Sequence, residues 1–169
     1  MLFRIWQFID MAVHDIDLAR WFMGSDPKSI FAIGGCYAHP EFGQHQDGDN
    51  VAALMHLENG SMVFLFAGRT APHGYNVETE IIGTQGILRI ASVPQKNMVE
   101  ILDSHGVRKE CSQDFLERFG DAYLAEMNEF VRCINEGRAP EVTVYDGTKC
   151  TEIAYRCKEA FETNELVRL

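Results

Sequence analysis

Apolar positions recur at helical spacing over residues 10–22, where Val13, Ile16, Ala19 and Phe22 fall on one side and Gly24 and Pro27 mark an end. Beyond Ser29 the period changes to two. Residues 29–38 are rich in strand formers, and residues 50–58 and 61–67 flank Asn59-Gly60, a pair suited to the positive φ angles of a type I′ turn, so they predict a hairpin. Met55 and Leu57 alternate with His56 and Glu58, as expected of a sheet with one buried and one wetter face. Residues 75–82, 86–90, 98–103 and 107–111 read as further strands, punctuated by Gly83-Thr84-Gln85-Gly86, by Pro94 and by Ser104-His105-Gly106. The middle of the chain is therefore expected to be mostly antiparallel sheet.

The period returns to 3.6 after Ser112. Leu116, Phe119, Tyr123, Met127, Phe130 and Ile134 form a stripe expected to be core, in a helix that closes near Gly137 and Pro140. A last helix over residues 147–163, with Asp146 as its cap, should bury Ile153, Ala154, Cys157, Ala160 and Phe161, and residues 166–169 suit an extended segment. Both helices are expected to cover one sheet face, and the outer strand edges need a helix layer or another subunit. No repeat, heptad tract or Gly/Ser/Pro linker interrupts the pattern, so residues 1–169 are read as a single domain.

Composition narrows the function classes. A chain of 169 residues can bury roughly two thirds of its unfolded surface, and a 46% hydrophobic content supplies the core. The formal charge of -10 repels phosphate backbones and anionic membranes, so neither nucleic acid nor a membrane is an expected partner. No apolar run approaches the length of a membrane span, and residues 1–5 lack the features of a secretory signal, which points to the cytoplasm. The five cysteines show no CxxC and no disulfide framework; they are expected as reduced thiols, with Cys150 and Cys157 in the core.

Chemistry is concentrated near the start. Asp10 and His14 are four residues apart, so on a helix they share a face and can act as an acid/base pair; a helix cap and a polar contact would explain the same residues without catalysis. Asp15 and Asp17 read as surface or hydrogen-bonding residues, and Trp21 as packing rather than a sugar-stacking platform. His39, His45, Asp47 and Asp49 lie in a polar loop over residues 39–50; their spacing selects no coordination geometry, so a solvated loop is expected and no metal site is assigned. Neither GxGxxG nor GxxxxGK[ST] occurs, so no residue is assigned to binding a cofactor.

The segment from Asp10 to Trp21, Gly48-Asp49-Asn50, Gly74-Tyr75-Asn76-Val77-Glu78-Thr79-Glu80, Gly83-Thr84-Gln85-Gly86, Phe119-Gly120-Asp121-Ala122-Tyr123, Glu126-Met127-Asn128-Glu129-Phe130 and Asp146-Gly147 together resemble the C-terminal domain of the glucose-fructose oxidoreductase-like (Gfo/Idh/MocA) family. The nearest branch is the myo-inositol 2-dehydrogenases. The resemblance covers nearly the whole chain. It implies an α+β fold, an open, predominantly antiparallel sheet with helices packed on one face and the other face used in subunit association. It further implies that Asp10 and His14 match the catalytic carboxylate and histidine, and that Tyr75 contacts the substrate, a small polyol or sugar. Arg69, Asn76 and Glu78 are placed around the pocket without a catalytic role.

The family's complete enzymes use NAD(P), held by an N-terminal nucleotide fold that this sequence lacks along with the catalytic Glu-Lys-Pro segment. No cofactor is therefore expected on the isolated chain, and hydride transfer should need a Rossmann domain, supplied by a separate polypeptide or by the rest of a longer dehydrogenase of which this chain is a fragment. Where the family carries small, glycine-rich residues this chain has Arg4-Ile5-Trp6-Gln7-Phe8, whose bulk would alter the pocket entrance. The competing expectation is a noncatalytic polyol-binding or self-association module.

Overall fold

The computed structural model describes residues 6–91 and 95–169. The chain divides into two compact units, one built from the segments before Ala71 and after Pro140, the other from Ala71–Pro140.

The first unit contains the short helix α1 (Gln7–Asp10), α2 (Ala12–Met23), β1 (Pro27–Gly35), a 3-10 turn (Pro40–His45), β2 (Asn50–Leu57) and β3 (Met62–Gly68). Its remaining helix and strand, past the second unit in the chain and numbered α4 and β8 below, are Val144–Thr163 and Val167–Arg168. The strands form one sheet in the order β3-β2-β1-β8 with every neighbour antiparallel. Alternation decides which face is buried. Ile30 and Ala32 of β1, Val51, Ala53, Met55 and Leu57 of β2, and Leu65 and Ala67 of β3 are buried with Phe8, Ala12 and Ile16 from the first two helices and Cys150, Ile153, Ala154, Cys157 and Ala160 from α4. The helices thus cover one face and leave the other open.

That open face differs from the wetter face that the His56 and Glu58 alternation suggests. Register sets Phe31 beside Leu54 beside Phe64, and Ile33 beside Ala52 beside Phe66, so large apolar side chains form exposed rows across three strands.

Local chemistry explains the helix ends. Gly24 takes the left-handed conformation (φ 59°) and its N–H donates to the Arg20 carbonyl, closing α2. Helix α4 begins three residues before the expected start, because Thr143 is the N-cap and Asp146 lies inside the first turn, accepting from the Thr143 N–H (2.9 Å) and hydroxyl (2.7 Å). The β2–β3 turn also departs from expectation: only Gly60 has a positive φ, at 87°, so the turn is not type I′. Asn59 instead uses its side chain, donating to the Met23 carbonyl and accepting from the Ser61 N–H, while the Gly60 N–H donates to the Leu57 carbonyl.

Two hairpins and a long helix make up the second unit. β4 (Thr79–Gly83) pairs with β5 (Gly86–Ile90), β6 (Gln95–Asp103) pairs with β7 (Gly106–Cys111), both antiparallel, and α3 (Phe115–Glu136) follows. Asp114 caps α3 by accepting from the Glu117 N–H at 2.9 Å. The stripe expected as core on this helix is not: Leu116, Tyr123, Met127, Phe130 and Ile134 are exposed. Two-stranded hairpins offer no broad sheet to cover it, and among the described residues no strand packs extensively on α3.

Candidate active site

The helix predicted over residues 10–22 is two helices. α1 ends at Asp10 and α2 starts at Ala12, with Met11 between them at φ −107° and ψ −52°, still in the right-handed region. Asp10 therefore closes α1, and His14 lies in the first turn of α2. Both are exposed, while Ala12 and Ile16 turn the opposite side into the core. The expectation for Trp21 fails for the same reason. Its position points away from the sheet and the ring is 74% exposed, tilted against Phe22 with centroids 4.8 Å apart.

Asp10 and His14 share no hydrogen bond among the described residues. Asp10 Oδ2 is instead met by Arg69 Nη1 at 3.3 Å. Arg69 directly follows β3; its backbone N–H donates to the Asp49 carbonyl at 2.8 Å, and its guanidinium carbon lies 4.6 Å from the Phe42 ring centroid. His14 makes no hydrogen bond among the described residues, and its neighbour Asp15 is partly buried. Burial raises the Asp15 carboxyl above its ordinary value, against the opposing pull of His14.

The loop over residues 39–50 is largely exposed at residues 40–46, as expected, but its end is buried at Asp47, Gly48 and Asp49. Asp47 is buried, and its two carboxylate oxygens accept from the Gln7 N–H at 3.1 and 3.2 Å, which caps α1 from a distant part of the chain. Asp49, also buried, accepts from the N–H groups of Tyr37, Ala38 and His39 and from Asn50 Nδ2. Burial alone would raise its carboxyl, but these donors outweigh it and hold the group far below the usual carboxylate range. Its lone pairs are thereby taken up by amides. Among the described residues no group of three or more His, Cys, Asp or Glu side chains is arranged to hold a metal ion.

Tyr75 lies in the second unit, just before β4 rather than within the expected strand. Its N–H donates to the Ser112 carbonyl at 2.7 Å, and its ring packs against those of Phe115 and Phe119 at centroid separations of 6.4 and 6.1 Å. Gly74 makes this approach feasible: at φ 142°, a Cβ there would come within 2.7 Å of both the Cys111 Cβ and the Ser112 carbonyl oxygen. Asn76 and Glu78 are exposed on the same segment.

Two cysteines are in the core as expected. Burial pushes the Cys157 thiol up to about 12 and raises that of Cys150, so neither offers a thiolate at neutral pH. Sequence reading missed Asp47, Asp49 and Phe42 as supports of the site. The available signal was two carboxylates in a loop that also contains Gly48, where backbone N–H groups need acceptors.

An open antiparallel sheet covered on one side by helices, with an exposed acid and histidine near the start of the helix layer, defines an α/β domain. The profile of the oxidoreductase family, C-terminal alpha/beta domain, matches residues 7–169, and the chain belongs to that family. Among curated relatives, scyllo-inositol 2-dehydrogenase (NAD(+)) of Bacillus subtilis is 31% identical over 96% of this chain, and the myo-inositol 2-dehydrogenase of Thermotoga maritima is 30% identical over 96%. The chain spans 47% and 48% of those two proteins. The crystal structure of scyllo-inositol dehydrogenase from Lactobacillus casei with bound NAD(H) and scyllo-inositol matches with a TM-score of 0.92 at 45% identity, over 96% of this chain and 48% of that one. Myo-inositol 2-dehydrogenase from Lactobacillus plantarum matches with a TM-score of 0.93 at 36% identity, over 97% and 48%.

Proposed function

We propose that this chain is the polyol-side domain of an NAD(P)-dependent inositol dehydrogenase, with Asp10 and His14 as its proton-handling pair and Tyr75 as a substrate contact. The observation that carries the reading is the exposed placement of Asp10 and His14 on either side of the junction between α1 and α2. Oxidation of a secondary alcohol removes a proton from the hydroxyl oxygen and a hydride from the carbon that bears it. His14 accepts the proton, and the Asp10 carboxylate stabilises the imidazolium that results. These residues hold no glycine-rich loop of the kind that receives a dinucleotide pyrophosphate, so they serve the proton and the polyol, while the hydride acceptor is held outside them by a nucleotide-binding domain. Names and identities of the relatives support an inositol as substrate, of scyllo or myo configuration.

Self-association belongs to the same proposal. The exposed Phe31, Leu54, Phe64 and Phe66 on the open sheet face suit a second copy of this chain, giving a homo-oligomer. No helix among the described residues is long and apolar enough to cross a membrane, and we assign the protein to the cytoplasm, where its free thiols stay reduced.

The test titrates the purified chain with scyllo-inositol and myo-inositol while following the His14 and Tyr75 resonances, and separately assays NAD+ reduction. Inositol-dependent shifts at both residues with no NAD+ reduction are the expected result. NAD+ reduction by the chain alone would overturn the division of labour. A flat titration with both inositols would leave self-association as the function of the domain.

A further inference from the structure

A carboxylate on the last residue of a four-residue helix has little to orient it. The Asp10 side chain is 37% exposed and α1 is a single turn, yet a partner of His14 has to present an oxygen in a fixed direction. The orientation comes from across the unit. Arg69 Nη1 holds Asp10 Oδ2 at 3.3 Å, and no hydrogen bond occupies Oδ1 among the described residues.

Arg69 is itself fixed. Its side chain is 21% exposed, stacked over Phe42, and its backbone is tied to the Asp49 carbonyl. Asp49 is in turn anchored by the amides of residues 37–39, and Asp47 in the same loop holds the N-terminus of α1. One loop thus sets both the helix that carries Asp10 and the arginine that meets it.

We propose that Arg69 is a positioning residue, which pins one oxygen of Asp10 so that the other is presented to His14. The proposal rests on the reading of Asp10 and His14 as the proton-handling pair. A guanidinium suits the task because it stays charged at any working pH and can stack on Phe42 while it donates; a lysine keeps the charge but cannot keep the stack and the fork.

The experiment uses the full chain. Restricted rotation of the Arg69 guanidinium, read by NMR, is expected in the wild type, and rotation at least about tenfold faster in Asp10→Asn, the loss expected when one charged hydrogen bond is removed. The His14 ring signals should move in Arg69→Met and in Asp10→Asn, and no further in the double variant, because both act through the same contact. Arg69→Lys should leave the His14 signals between the wild type and Arg69→Met. Free rotation in the wild type, no response to Asp10→Asn, or additive His14 shifts would each overturn the proposal. These readouts need no polyol. A chain that binds no inositol but shows them retains the Arg69 clamp and loses the functional reading.

Discussion

At the residue scale, the buried carboxylate of Asp49 links site architecture to acidity. Its folded-state pKa lies below the unfolded one because three backbone N–H groups and Asn50 bond the charged form. A depressed pKa adds stability that is complete above the unfolded value of about 3.9 and is lost as pH falls through the folded value. The Asp49→Asn variant should therefore melt below the wild type by a constant margin from neutral pH down to about 5, and that margin should shrink as pH drops below about 4. Melting temperatures across the acid range decide this, and a margin independent of pH would remove Asp49 as the acid-sensitive group. Gln7 makes a second case. It is fully buried; among the described residues its Oε1 accepts no hydrogen bond, and its side-chain amide donates to the Met11 sulfur at 3.2 Å. A buried unmet acceptor costs about 1–3 kcal/mol, so Gln7→Met, close in volume, should melt no lower than the wild type and is expected to melt higher. A clear loss of stability in that variant would mean that the amide has a partner. The helical setting of Asp10 and His14 was legible in the sequence because helical periodicity is a local signal. Arg69, 59 positions from Asp10, was legible only as a neighbour of the site, because its role is set by tertiary contact.

At the element scale, ends and turns are where local pattern and structure part. The start of α4 illustrates the gain from reading the cap correctly. Thr143 begins the helix, Asp146 reaches back to it, and the Arg20 guanidinium of α2 lies 3.7 Å from the same Asp146 carboxylate. Replacing Thr143 with alanine removes a cap worth about 1 kcal/mol, which for a chain of this size lowers the melting temperature by about 2–4 °C. Thermal unfolding followed by circular dichroism checks it, and an unchanged midpoint would show that Asp146 and Arg20 hold the helix start without the threonine. The four strands of the first unit and the burial face of α4 were legible because their periods were unbroken. The stripe on α3 was legible as a helix and misleading as core, since periodicity reports that a face is apolar and is silent on what covers it. The Asn59-Gly60 turn misled differently: the pair marked the right place, but the Asn59 side chain found tertiary and local partners that favour another turn geometry.

At the scale of the whole molecule, the four-stranded sheet has two unlike faces. One face buries a core of small and branched side chains under α2 and α4, which holds the short helix of Asp10 in place through Phe8, Ala12 and Ile16. The other presents aromatic and aliphatic rows whose alignment follows from register: Phe31, Leu54 and Phe64 lie side by side on three adjacent strands. Their exposure is costly in water, since burying each such side chain is worth about 1.5–3 kcal/mol, and flat apolar rows suit another sheet better than a small ligand. A second copy of this chain supplies such a surface, and a two-fold arrangement lets each row serve both sides. If the chain self-associates through this face, sedimentation equilibrium should show a larger species for the wild type, and Phe64→Glu, at a position 70% exposed, should abolish it while leaving the melting temperature of the monomer nearly unchanged. The control is Tyr155→Glu, a half-exposed aromatic on α4, away from that face, which should associate as the wild type does. If the wild type sediments as a monomer at the highest soluble concentration, the rows do not serve self-association; if Phe64→Glu and Tyr155→Glu disrupt it equally, the sheet face is not the contact.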